Sequence, residues 1–175
     1  MRNVRLVLLL TIVTMSSARG QTTLDSKLQN QLRRAFPGAT SFSTKQAGPP
    51  PHFIAYKGEP GARTIAGYVF WTTELEPLER GYDGPVKMLV GVDTNAKLTG
   101  VVVTEHREPY GYFSVDLPKF AEQFVGKDIR DPFRVGKDVD AISRATMTIE
   151  SSSRAIRNGS RRVARALMTP PGPAQ

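Results

Sequence analysis

Residues 140 to 148 read DAISRATMT. Within this run the chain gathers one carboxylate, Asp140, and three hydroxyls, Ser143, Thr146 and Thr148, around Arg144 and Ala145, with no catalytic base beside them. A hydroxyl without a base is a weak nucleophile, so two other uses come first. Ser and Thr oxygens accept hydrogen bonds from the orphan N–H groups of a helix's first turn. The same N–H groups, with the positive end of the helix dipole, also attract phosphate. Both uses require a helix to begin here.

The following residues supply one. From Met147 to Leu167, Ile149, Ile156 and Val163 recur every seven positions, and Ala155, Ala164 and Leu167 widen that face. Arg154, Arg157, Arg161 and Arg165 form a basic stripe on the same segment. Such a stripe is either a solvated face or a dock for an acidic redox partner or lipid headgroups. Nearer the N-terminus, Leu24, Leu28, Leu32 and Phe36 predict an amphipathic helix stopped by Pro37-Gly38. DLPKFAEQFVG predicts a second short helix, with Asp116 as its cap and Gly126 as its stop.

The middle of the chain reads as strands. HFIAYKG and the runs 65–72, 86–93 and 98–105 are rich in branched and aromatic residues. The short TNAK link predicts an antiparallel hairpin between the last two. Tyr68 and Trp71 stand at odd spacing and must face opposite sides of their strand. Helix, strand cluster, helix, helix is not a strict alternation, so the expected class is α+β, one domain with a mostly antiparallel sheet flanked by helices.

Composition narrows the setting. Residues 1–20 have Arg2 and Arg5, an apolar run from Leu6 to Val13, then small residues, the pattern of a cleaved secretory signal peptide. Export is therefore expected, to a periplasmic location that leaves membrane-surface attachment open, and no nucleic-acid partner is expected there. Residues 21–167 form the expected domain and 168–175 a disordered tail. Losing Arg2, Arg5 and Arg19 lowers the net charge from +8 to +5. The chain has no cysteine, which excludes disulfides, thiolate metal sites and a cysteine nucleophile. With two histidines and no ligand cluster around either, no metal site is expected.

The run Asp140-x-x-Ser143-x-Ala145-Thr146 resembles the D-x-x-[S/T]-G-A-T signature of the FMN-binding domain family. That family includes the G subunit of Rnf complexes, the C subunit of sodium-pumping NADH:quinone reductase and the extracytoplasmic domain of NosR-type regulators. The likeness extends through the GYVF strand, the RGY-x-G-P turn, the LVGVD strand and the H-x-EP segment, in the same order, and is greatest to the NosR-type branch. It covers roughly residues 30 to 165.

The resemblance implies FMN as cofactor, joined as a phosphodiester to Thr146 by an FAD-dependent FMN transferase that recognises Asp140, Ser143 and Ala145. It implies that Gly81, Tyr82 and Gly84, with His106 and Glu108, lie beside the flavin, and that Arg144 and Thr148 adjoin the attachment point. As a bare sequence, RGYDGP is only a turn and His106 only part of a solvated loop. Arg144 stands where the family has glycine: either the backbone there is ordinary, or something offsets the strain of a left-handed arginine. Its guanidinium would contact the phosphodiester or hinder the transferase. The implied role is an electron relay between redox partner proteins or within a membrane electron-transfer complex, with no catalytic acid or base in this chain. The alternatives are a regulatory or assembly factor without electron flux, and a flavin-free binding module.

Overall fold

The computed structural model describes residues 25–168. The expected signal peptide, Leu24 and residues 169–175 of the tail lie outside the described residues. The element order is α1 (Ser26–Ala35), β1 (Ser41–Phe42), β2 (Phe53–Lys57), β3 (Thr64–Trp71), α2 (Thr72–Leu75), β4 (Lys87–Asp93), β5 (Leu98–Glu105), a 3-10 turn (Gly111–Phe113), α3 (Pro118–Glu122) and α4 (Thr146–Leu167).

The strands form one five-stranded sheet in the order β1-β2-β3-β4-β5, every neighbouring pair antiparallel. The expected β4–β5 hairpin is present, with Val90 opposite Val101. Asp93 closes its turn by accepting from the Asn95 and Lys97 N–H groups. Class and topology are those of an α+β domain.

Each face of the sheet has its own apolar layer, set by the two-residue alternation of the strands. Phe70, Met88, Val90 and Val92 pack with Ile149, Ile156 and Val163 of α4. Val69, Leu89 and Val102, on the opposite face, pack with Leu32, Ala35 and Phe36. Tyr68 belongs to the first layer and Trp71 packs on the second, as their spacing requires. The end of α1 comes unusually close to the sheet: a Cβ on Gly91 would stand 2.3 Å from the Ala35 carbonyl oxygen.

Two expectations about local structure are corrected. Asp116 does not cap α3, whose N-cap is Leu117 with no side-chain bond; its carboxylate is engaged by His106. The basic stripe of α4 is neither simply solvated nor free. Arg161 donates to the carbonyls of Ile129, Arg130 and Asp131, and Arg157 to that of Pro132. Arg154 pairs with Glu79. These arginines bind two loops to the helix, so most of the stripe is structural.

Candidate functional site

The chain before α4 makes a turn in which the Ala145 N–H donates to the Ile142 carbonyl at 3.1 Å. Ser143 and Arg144 are its central residues, and Arg144 has φ +69°. Positive φ at the third turn position is the type II arrangement, where glycine is favoured. The backbone thus keeps the form a glycine would take, although arginine occupies it at a cost of roughly 1–2 kcal/mol.

The helix begins at Thr146, with Ala145 as N-cap. No side chain caps it and its first turn contains no acid. This overturns the capping use of the hydroxyls. Ser143 and Thr146 are exposed, whereas Thr148 is buried and donates its hydroxyl to Glu108. Asp140 is exposed; its carboxylate pairs with Lys119 at 2.8 Å and its N–H donates to Gln123.

Glu108 joins the separate segments of the site. Its side chain is buried, with the residue only 8% exposed. One oxygen, Oε1, accepts from the Asp83 N–H at 3.0 Å. The other, Oε2, accepts from the Tyr82 N–H at 3.1 Å and from the Thr148 hydroxyl. A carboxylate removed from water needs such donors. Gly81 is required by this packing, because its Cβ would lie 2.5 Å from Glu108 Oε1. Gly84 returns the loop at φ +115°, and the Gly81 N–H donates to its carbonyl at 2.7 Å. The RGYDGP turn is thereby tied to the start of α4.

His106 is joined to Glu108 through the backbone. Its Nδ1 accepts from the Glu108 N–H at 3.1 Å. Nε2 therefore carries the hydrogen of the neutral ring and donates to Asp116 Oδ1 at 2.7 Å. Gly111 makes room for the imidazole, since a Cβ there would be 2.1 Å from His106 Cε1. Among the expected site residues, Ser143, Arg144, Ala145 and Thr146 form the turn and the first residue of α4, and the others divide further. Gly81, Tyr82, Gly84, His106, Glu108 and Thr148 are brought together through Glu108, while Asp140 stands apart on its pair with Lys119. The packing of Gly111 on His106 is not legible in the sequence, because nothing in the aromatic run PYGYF points to a histidine five residues earlier.

The surface around this cluster exposes apolar groups. Tyr82 and Tyr112 are each 70% exposed and Met147 is 60% exposed. An uncapped end of a 22-residue helix offers N–H groups to an anion, and the neighbouring aromatic rings offer surface to a planar ring system. The donor set therefore suits a ligand that joins a phosphate to an aromatic ring.

Comparison with known proteins gives the class. Residues 81–161 match the FMN-binding domain family, and the chain carries an FMN-binding domain over this segment, which begins at Gly81 and includes Glu108, Arg144 and Thr146. Among individual proteins, it is similar to the G subunit of the ion-translocating oxidoreductase complex of Aliivibrio fischeri strain ATCC 700601 / ES114. The identity is 31% over 87 residues, covering 44% of this chain and 41% of that protein. The same protein from Aliivibrio fischeri strain MJ11 matches to the same extent. The chain thus spans about two fifths of the length of these relatives. The cofactor of the domain is FMN, and the uncapped helix start and exposed rings fit it.

Proposed function

We propose that this protein is an exported electron carrier whose FMN is held by a phosphodiester to Thr146. The observation that carries the reading is the contrast between two threonines of one motif. Thr146 is exposed at the first residue of an uncapped helix, whereas the Thr148 hydroxyl is buried and committed to Glu108. Attachment uses FAD as donor: the Thr146 oxygen bonds to the phosphorus of the FMN half, the bond from that phosphorus to the bridging oxygen breaks, AMP leaves and the hydroxyl proton is released. FMN then supplies reversible electron transfer, while the protein orients it and sets its surroundings.

A covalent link suits export, because a cofactor that dissociates outside the cytoplasm is not readily recovered. The relatives' designation as a component of an ion-translocating oxidoreductase complex favours a membrane electron-transfer complex as partner. Intact mass of the denatured protein, purified from the periplasm of cells that contain the transferase, tests the reading. The expected chain begins near Gln21 and carries one FMN. Thr146→Ala should lose that increment and Thr148→Ser retain it. A wild-type chain without the increment, or a Thr146→Ala chain that keeps it, would overturn the assignment.

A further inference from the structure

The fold does not absorb every arginine of α4. Arg154, Arg157, Arg161 and Arg162 each have a carboxylate or carbonyl partner. Arg165, in the last turn of the helix, is exposed and has no partner among the described residues. A cation suits a helix C-terminus through the dipole alone, but Arg165 also lines a cavity of about 460 Å³ between the end of α4, the β4–β5 turn and the loop after α3.

The chemistry of that cavity is two-sided. Arg130 and Arg161 share its lining with Arg165, while Ala96, Ile129 and Met168 give it apolar surface, and none of the described residues lining it is acidic. Arg130 gives Nε and Nη2 to Asp128, and Arg161 gives Nε and Nη2 to the carbonyls of residues 129 to 131. Each therefore keeps one Nη for another acceptor. Guanidinium groups gathered without a carboxylate repel one another, and an anion among them removes that repulsion.

The apolar surface selects among anions. A carboxylate of an acidic protein would satisfy the arginines but leave Ile129 and Met168 against a polar group. A phospholipid supplies a phosphate and hydrocarbon in one molecule, and basic pockets of this kind bind such headgroups.

We propose that this cavity docks the headgroup of an anionic phospholipid, with its phosphate on Arg165, Arg130 and Arg161 and the adjoining hydrocarbon on Ile129 and Met168. The protein is thereby held at an anionic membrane surface by charge and a small apolar contact. The cavity lies at the opposite end of a 22-residue helix from Thr146, so docking does not depend on how the flavin is attached.

Co-sedimentation of the chain from Gln21 onward with lipid vesicles tests this. One set contains phosphatidylcholine and phosphatidylglycerol in a three-to-one ratio, the other phosphatidylcholine alone. The chain should bind the first set, less well as salt is raised, and should not bind the second. Arg165→Ala should weaken binding roughly fivefold and Arg165→Glu roughly 25-fold, the usual scale for one basic residue at an anionic surface. Met168→Ser should weaken it as well, although no charge is lost. Arg33 is the control: it is exposed on α1, which packs on the opposite face of the sheet from α4. Arg33→Ala removes the same charge away from the cavity and should change binding by less than about twofold.

A chain that does not distinguish the two sets of vesicles, or an Arg33→Ala variant that loses as much as Arg165→Ala, would overturn the site. Unchanged binding in Met168→Ser would overturn the hydrocarbon contact. Binding to immobilised polyglutamate with none to the vesicles would assign the surface to an acidic protein and overturn the lipid. Thr146→Ala should bind vesicles as the wild-type chain does. Mass reads the linkage and sedimentation reads the docking, so either can fail alone.

Discussion

Thr148 and Glu108, 40 residues apart in the chain, share a buried hydrogen bond that joins the first turn of α4 to the loop after β5. Both side chains are engaged inside the protein. The hydroxyl of Thr148 is used where it stands, and the carboxylate already serves two backbone N–H groups. The motif's two threonines are therefore not interchangeable. Thr148→Val would leave a buried carboxylate short of a donor and should cost about 2 kcal/mol, the usual range for a hydrogen bond to a charged group. Thr146→Val, at an exposed position, should change stability by less than about 0.5 kcal/mol. Denaturant unfolding of the two flavin-free variants checks the contrast.

Arg144 supplies a second expectation. Its φ of +69° costs roughly 1–2 kcal/mol for any residue with a Cβ. Glycine would remove this strain but would lose about 0.4–1 kcal/mol through the greater freedom of its unfolded chain. Arg144→Gly should therefore be more stable by up to about 1.5 kcal/mol, while Arg144→Ala keeps the strain and gains nothing comparable. Chemical denaturation of the three proteins decides it; an Arg144→Ala chain that matched Arg144→Gly would show that the backbone is not the cause.

Much of this fold is legible in the periodicity of the chain, and the reasons are visible in particular residues. Met88, Val90 and Val92 alternate because one face of β4 meets α4, and Ile149, Ile156 and Val163 repeat because one stripe of α4 meets the sheet. Thr146, Arg144 and the RGYDGP loop are recognisable by likeness to a family. What pattern alone does not disclose is pairwise and distant. That Glu108 accepts from Tyr82, Asp83 and Thr148 depends on three segments meeting, which no local spacing records. Ser151, Ser152, Ser153 and Ser160 are all buried on α4, although serine read in sequence suggests a wet face. The short strand β1 and the single-turn helix α2 are too brief to show a period. The arginines of α4 present a charge pattern, but their carbonyl acceptors at Ile129 to Pro132 become visible only when the chain folds back.

That fold-back segment gives a pH dependence. The Arg130 guanidinium beside Asp128 holds its carboxyl well below the usual carboxylate range, assisted by the Arg130 N–H and by Lys97. At Asp138 burial pulls the other way, but the N–H groups of Arg134 and Phe133, with Lys127, lower the carboxyl overall. A carboxyl lowered in the folded state binds its proton more readily when unfolded. Its stabilisation is thus complete above the unfolded value of about 4 and disappears as pH falls through the folded one. The thermal midpoint should be nearly flat from about pH 5 to 7 and fall below about pH 4. Asp128→Asn should lower the plateau and make the acid slope shallower. An equal slope in that variant would remove Asp128 from the account.

Arg161 tests whether the α4 stripe is structural. Its guanidinium meets the Ile129, Arg130 and Asp131 carbonyls at 2.7, 3.1 and 3.0 Å, a planar fork that an ammonium does not reproduce. Arg161→Lys should retain the charge yet lose about 1 kcal/mol, and Arg161→Ala about 2 kcal/mol. Amide exchange in residues 128–133 should rise in both. If Lys restored full stability, charge rather than geometry would be the function of the residue. Arg165, exposed at the same end of the helix, provides the control, with Arg165→Ala expected within about 0.5 kcal/mol of wild type.

Gly159 shows how closely the attachment helix is seated. A Cβ there would stand 2.5 Å from Phe70 Cε2 and 3.1 Å from Cζ, and Phe70 is fully buried on β3. Helix propensity favours alanine over glycine by about 1 kcal/mol, whereas forcing a methyl into a packed core costs roughly 1–3 kcal/mol. The ring cannot swing into solvent, so overpacking should win and Gly159→Ala should be less stable by about 1 kcal/mol. Phe70→Leu removes the opposing ring atoms. Combined with it, Gly159→Ala should become neutral or stabilising, a coupling of about 1 kcal/mol or more that a double-mutant cycle would measure. Simple additivity would mean that α4 shifts to admit the methyl. In that case the position of Thr146 at the head of the helix would depend less on Phe70 than the close contact implies.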